Sequence, residues 1–277
     1  MLLAVRVYIS IDMEGVAGIV HGDQTRRGAP EFGLACELMT HEANAAALGA
    51  FDAGATAVLV NDSHGDMRNL VFDLLDPRVE PLTGSLKPYS MAQGLHDERF
   101  ELAMFVGYHG GAGTQDAILD HTYRGNVVHG IRVGGRVLNE AGLNALVAGE
   151  RGTPVGLVTG DASTCAQCRE LLGDIVTVEV KRAIGRASAR SLHPVRAREL
   201  IRAGARRAVD ERARMQPFVL DSRALEVDLL TTAIADAVAI VPGVVRTGPR
   251  AVAYAARDLD DLFRALMTIV RLGGTAA

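Results

Sequence analysis

The chain has 277 residues, 48% apolar and 22% charged, so it is globular and long enough for one large or two ordinary domains with a real core. A net charge of -4 offers no general electrostatic reason to bind nucleic acid or an anionic membrane. Of its 29 cationic residues only Lys87 and Lys181 are lysine, an arginine bias that reads as a genome habit. The opening Met1-Leu2-Leu3-Ala4-Val5-Arg6 lacks the basic leader and cleavage site of a signal peptide, and nothing approaches the roughly 20 apolar residues of a membrane span, so a cytoplasmic location is expected.

In chain order, Val5 to Ile11 predicts a β-branched strand and Glu31 to Ala53 a long Ala-rich helix closed by Gly54. Ala55 to Val60 and Leu102 to Val106 are short and continuously apolar, which suits parallel strands covered on both faces. Gly130 to Leu138 alternates around Gly134-Gly135 and predicts a hairpin. A helix over Glu140 to Arg151 follows, then a strand over Pro154 to Thr159, a helix through Leu172 and a strand over Ile175 to Val180. The alternation predicts an α/β fold over residues 1–180, a mostly parallel sheet covered by helices.

From Lys181 the texture changes. A long Arg/Ala/Glu helix is expected over Ser191 to Met215, then a strand at Leu225 to Leu229, a helix around Thr231 to Val241, a strand at Ala251 to Ala255 and a helix from Asp258 to Leu272. This predicts a second, smaller α+β domain over residues 181–277. The arginines of its first helix are interleaved with Glu199, Asp210 and Glu211 and have few aromatic companions, so they read as a solvated face or subunit contact.

Chemistry concentrates where strands or hairpins should end. Asp12 and Glu14 are two apart at the end of the first strand and therefore point the same way. Two such carboxylates repel and resist desolvation unless a cation lies between them; alone, they read equally as an exposed acidic strand end. His64 and His109 each follow a buried strand, at the carboxyl edge where ligands bind in open α/β sheets. Asp62 is placed to orient His64 or cap the next turn. Glu140 offers a further carboxylate, with a helix-cap role as its strongest competitor. Three carboxylates and two imidazoles without a thiolate suit zinc or manganese in a hydrolytic site. Five ligands exceed one catalytic tetrahedral ion, so two metals with a bridging carboxylate and water fit better.

Other signals fail. Cys165 and Cys168 form a lone C-x-x-C and read as ordinary helix cysteines, while Cys36 has no partner for a disulfide framework. His41-Glu42 begins a zinc-protease helix, but Ala45 stands where its second histidine belongs. No phosphate loop or nucleophile elbow occurs. His121 reads equally as a surface imidazole, a loop anchor or a general acid/base. His21, His96, His129 and His193 are assigned to solvent or packing.

Taken together and in order, Ser10-x-Asp12-x-Glu14-Gly15, Val60-Asn61-Asp62-Ser63-His64, Gly107-Tyr108-His109, Asp120-His121-Thr122-Tyr123 and Glu140-x-Gly142-Leu143-Asn144-Ala145 resemble the zinc D-aminopeptidase family, formerly described as dipeptide transport proteins. Lys87-Pro88-Tyr89-Ser90-Met91 is also similar, and the match spans Val7 to Gly160. The resemblance implies that Asp12, Glu14, His64, His109 and Glu140 hold two zinc ions, with Asp12 a bridge, and that His121 is the catalytic histidine. It further implies a homo-oligomer, a decamer of two pentameric rings, with the smaller domain contributing to assembly and chamber wall. Asn139 replaces a common glycine before the last glutamate, and His41 stands where an acid is frequent; both leave substrate preference open.

The function so implied is a metallo-aminopeptidase that removes a D-configured N-terminal residue from short peptides with a di-zinc centre and bridging hydroxide. Two rivals stand beside it: a di-metal hydrolase of another amide, ester or phosphoester bond, and a peptide-binding protein without turnover.

Overall fold

A computed structural model describes residues 4–277; residues 1–3 of the opening apolar run lie outside the described residues. The elements in order are β1 (Arg6–Ile11), α1 (Gly22–Thr25), α2 (Phe32–Asp52), β2 (Ala57–Asp62), β3 (Val79–Leu82), β4 (Leu102–Tyr108), β5 (Val128–Val133), β6 (Arg136–Val137) and α3 (Glu140–Glu150). They continue with β7 (Val155–Asp161), α4 (Ala162–Leu172), β8 (Val176–Gly185), β9 (Ser188–Ser191), α5 (Pro194–Asp210), β10 (Ala224–Leu229), α6 (Thr232–Val238), β11 (Val244–Gly248), β12 (Ala251–Ala255) and α7 (Leu259–Gly273).

Among the described residues two sheets form. The larger has the order β3-β2-β1-β4-β7-β8-β9, parallel except for β9, and the smaller is antiparallel with the order β11-β12-β10-β5-β6. Every residue of β4 and β7 is buried, as strands covered on both faces require. The pleat divides the core in two. Val7, Ile9, Ile11, Met104 and Val106 pack toward α2 and α5, whereas Tyr8, Phe105 and Val158 pack toward α3, α7 and the smaller sheet.

The expected α/β fold with a second, smaller sheet unit is what forms, and most expected elements lie within a few residues of their place. Three strands carried no signal: β3, β9 and β11 are short or polar. The helix expected over Ser191 to Met215 is shorter. His193 accepts a hydrogen bond from Val195 N and Pro194 opens the first turn, so the residues before it are free to pair as β9. The two sheets also divide the chain differently from a cut at residue 180. The larger sheet runs on to Ser191, and the smaller one takes β5 and β6 from residues 128–137. The arginines of α5 do form a solvated face, paired as Arg202–Asp52 at 2.6 Å, Arg196–Glu199 at 3.0 Å and Arg207–Glu211 at 3.2 Å. No helix of the described residues is long and apolar enough to cross a membrane.

Leu266, fully buried on α7, belongs to the core that the larger sheet, α3 and the smaller sheet share. Leu266→Ala is expected to lower unfolding free energy by about 2–5 kcal/mol, read as a lower urea midpoint at unchanged slope.

Candidate metal centre

The chain leaves β1 outward to β2 and β3 on one side, then crosses back to β4, β7 and β8 on the other. The crevice beyond the carboxyl ends of β1 and β4 is therefore the switch point at which open α/β sheets bind ligands. Asp12 directly follows β1, His109 directly follows β4 and His64 stands two residues beyond β2. Glu140 reaches the crevice from the first turn of α3, whose N-cap, Asn139, accepts from Gly142 N at 2.9 Å. Gly15 lets the β1 loop pass over β4: a Cβ there would stand 1.9 Å from the Tyr108 carbonyl oxygen.

All five expected ligands meet. Asp12, Glu14, His64, His109 and Glu140 are each at most 8% exposed. The two Asp12 oxygens face different partners. Oδ1 is 3.3 Å from His64 Nδ1, which is also 3.0 Å from Glu14 Oε2. Oδ2 is 3.3 Å from His109 Nε2, which is also 3.3 Å from Glu140 Oε2. The carboxylate of Asp12 is thus shared by two half-sites, one with Glu14 and His64, the other with His109 and Glu140.

The far ring nitrogens settle what the near ones offer. His64 Nε2 donates to Thr25 O at 2.8 Å and His109 Nδ1 to Gly110 O at 3.0 Å. In the neutral tautomers so fixed, each imidazole turns a lone pair toward carboxylate oxygens. Acceptors facing acceptors in a buried space require a proton or a metal cation between them. His109 Nε2 shows this directly, as a buried nitrogen without a hydrogen-bond partner. This donor set fits divalent zinc, since its imidazoles and carboxylates converge and each histidine is oriented through its other nitrogen.

Electrostatics agree. Burial opposes ionisation of Asp12, but the facing imidazoles of His109 and His64 outweigh it and hold its carboxyl well below the ordinary range. Glu14 and Glu140 are likewise held down against burial, by His64 and His109 respectively. Both histidines are driven the other way: burial disfavours their charge, yet the facing carboxylates raise them well above the usual imidazole range. A proton on each ring takes the position that a divalent cation would hold.

His121 lies at the rim. Its ring stacks on His109 at 4.1 Å between centroids, its Nδ1 donates to Leu119 O at 2.8 Å, and its Nε2 faces Glu140 Oε1 at 3.7 Å. It is therefore not a plain surface imidazole. Glu140 is itself tethered through Oε1 by Tyr123 N at 2.6 Å. Above these groups lies a cavity of about 140 Å³, lined also by Gly65, Met67, Ser90, Met91 and Tyr123. A larger groove of about 520 Å³ lies behind the Gly110–Gly113 turn, near Arg136 and Gln167, and contains none of the five ligands. Chemistry rather than size identifies the smaller one.

Sequence reasoning gave no role to the cavity walls. Met67, Ser90 and Tyr123 in those walls, and Leu119 beside His121, have left-handed backbones, at φ of 59, 49, 58 and 50°. Non-glycine residues adopt that region only where the surroundings hold them there, and such strain clusters at functional sites. A single sequence carries no signal for it. Two buried lysines lie close to the ligand loops; Lys181 was read only as composition and Lys87 only as part of a family-like segment, and burial brings both ammonium groups down to about 8. The C-x-x-C takes no part: burial lifts Cys168 to about 12 and Cys165 higher, so neither is a thiolate at neutral pH.

With this geometry in place, comparison with known proteins is decisive. A family model described as D-aminopeptidase, peptidase family M55, matches residues 5–268. The chain belongs to the D-aminopeptidase family. It is 32% identical to the D-aminopeptidase of Bacillus subtilis (strain 168) over 272 residues, 96% of this chain and 97% of that protein. Its fold superposes on the Zn-dependent D-aminopeptidase DppA from Bacillus subtilis, described as a self-compartmentalizing protease, with a TM-score of 0.94, 31% identity and 98% of both chains covered. The fold class, the family and the assignment as a hydrolase of the metallo-aminopeptidase class thus agree with what the residues led us to expect.

If Asp12 serves both half-sites, its removal should cost more metal than removal of a ligand to one. Elemental analysis of purified protein is expected to find zinc nearly absent from Asp12→Ala, about half retained in His64→Ala, and undiminished in Cys165→Ser. Full zinc in Asp12→Ala would exclude the shared carboxylate.

Proposed function

We propose that this family member is a di-zinc aminopeptidase that removes a D-configured residue from the free N-terminus of short peptides. Asp12, Glu14 and His64 hold one ion, Asp12, His109 and Glu140 the other, and His121 is the catalytic histidine. The observation that carries this reading is the division of Asp12: its two oxygens face two separate imidazole–carboxylate pairs. Bound zinc supplies Lewis acidity toward water and the scissile carbonyl, with manganese a second metal that the same ligands suit.

The chain's own residues account for the rest. The carbonyl of Leu119 holds the proton of His121 on Nδ1, leaving Nε2 as the basic nitrogen at the cavity rim. From there it takes a proton from the attacking water and returns it to the leaving amine, a role worth about 10²–10⁴-fold in rate. The free amine of the peptide is held by the site carboxylates, of which Glu14 lines the cavity. A cavity of about 140 Å³ walled by Met67 and Met91 favours a small N-terminal side chain. The part of each chain built on the smaller sheet contributes to assembly, and the exposed Leu86, Ile184 and Ile240, all at least 74% exposed, are candidate contact residues. The relative described as self-compartmentalizing supports a homo-oligomer; we assign a decamer of two pentameric rings, working in the cytoplasm on short peptides.

His121→Ala is expected to lower kcat by about 10²–10⁴-fold at unchanged zinc content. The metal-loaded enzyme should cleave D-alanyl dipeptides and leave their L-counterparts nearly untouched. Hydrolysis of phosphoesters without peptides would transfer the site to another reaction. Zinc binding with no turnover of any substrate, insensitive to His121→Ala, would make the protein a binder.

A further inference from the structure

Arginine supplies 27 of the chain's 29 basic residues, and the two lysines are both buried, Lys87 at 6% and Lys181 at 2% exposure. Each uses its ammonium in the same way. Lys181, on β8, donates to the carbonyl oxygens of Glu14, Val16 and Ile19 at 2.5, 2.8 and 2.5 Å. Lys87 donates to Asn61 Oδ1, Asp62 O and Leu82 O at 2.6, 2.7 and 3.3 Å. One gathers the loop that carries Asp12 and Glu14, the other the strand end that leads into His64.

Three acceptors converging on one point match the three tetrahedral donors of an ammonium group. A planar guanidinium spreads five donors over a rigid fork and cannot direct three of them to one centre. Geometry therefore explains why lysine persists at these two positions in a chain that otherwise uses arginine. Burying such a cation is expensive without full hydrogen bonding, and here all three donors are used. The loops need the help. Their carboxylates repel one another when no cation lies between them, which would drive Asp12, Glu14 and the neighbouring loops apart. Further ties act on the same loop: Gly15 N donates to Gly107 O at 2.8 Å and Ala17 N to Glu42 Oε1 at 2.9 Å.

We propose that Lys87 and Lys181 are positioning residues, three-point ammonium clamps that hold the Asp12–Ile19 and Asn61–His64 loops in ligand geometry before zinc arrives. This rests on the reading of Asp12, Glu14 and His64 as zinc ligands.

The test has two arms. In the wild-type protein, amide hydrogen exchange over residues 12–19 and 61–64 is compared between zinc-loaded and chelator-stripped samples. Clamped loops are expected to keep their protection within about threefold on stripping; exchange approaching that of an unfolded chain would overturn the proposal. In the second arm, zinc affinity is measured by chelator competition for Lys87→Met, Lys181→Met and Lys181→Arg, beside Leu266→Ala as a destabilised core variant outside the two ligand loops. About 10–100-fold weaker zinc binding is expected in the folded lysine variants, as for groups that orient metal ligands, with no change in Leu266→Ala. Equal affinity in folded lysine variants, or an equal loss in Leu266→Ala, would overturn it; if a lysine variant does not fold, the exchange arm still decides. Zinc absent from wild type, or fully retained in Asp12→Ala, would instead refute the ligand reading itself, so the two failures are distinguishable.

Discussion

Three buried carboxylates face two imidazole rings at the floor of a small cavity, and much of the rest of the site follows from that arrangement. In such surroundings like-signed and acceptor-only groups repel with little screening. The arrangement persists only with positive charge at its centre, whether two protons or divalent cations. Its cost also explains why the supporting shell is dense. His64 and His109 are each fixed through the second ring nitrogen, Glu140 is tethered by a backbone amide, and the β1 loop is tied down from three directions.

The doubly wound sheet is what allows these groups to meet. Asp12, His64 and His109 lie about 45 to 97 residues apart in various pairings, yet they stand at the carboxyl ends of three adjacent strands, β2, β1 and β4. In-register parallel pairing of β1 with both neighbours places their ends at one level. The two-residue alternation of β1 then sends Ile11 into the core and leaves the next residue free to turn toward the crevice. Packing and site groups are separated along the same strand: apolar residues within it, the Asp12 and Glu14 carboxylates just beyond it.

Strain sits beside this order. Among the described residues, four of the five non-glycine residues with left-handed backbones line the cavity or flank His121. Met67 and Tyr123 pack into the core formed by α3 and the smaller sheet, whereas Leu119 packs on the other face of the larger sheet. The smaller sheet is therefore more than an appendage for assembly, because its β5 strand directly follows the loop that carries His121. The buried C-x-x-C on α4 belongs to the packing alone.

From the residues alone one could read the larger fold and the ligand types. Strand periodicity, the Ala-rich helix and the carboxylate and histidine residues at strand ends are local properties, written in neighbouring positions. Even so, Asp12 and Glu14 by themselves were equally an exposed acidic strand end, Glu140 equally a helix cap, and His121 equally a loop anchor. Only the tertiary structure shows that Asp12 and Glu14 are buried and that Glu140 and His121 lie beside them, because convergence and burial depend on groups far apart in the chain. The same holds for β3, β9 and β11, whose pairing comes from neighbours rather than propensity, and for the three-acceptor cradles of Lys87 and Lys181, which only the folded chain assembles.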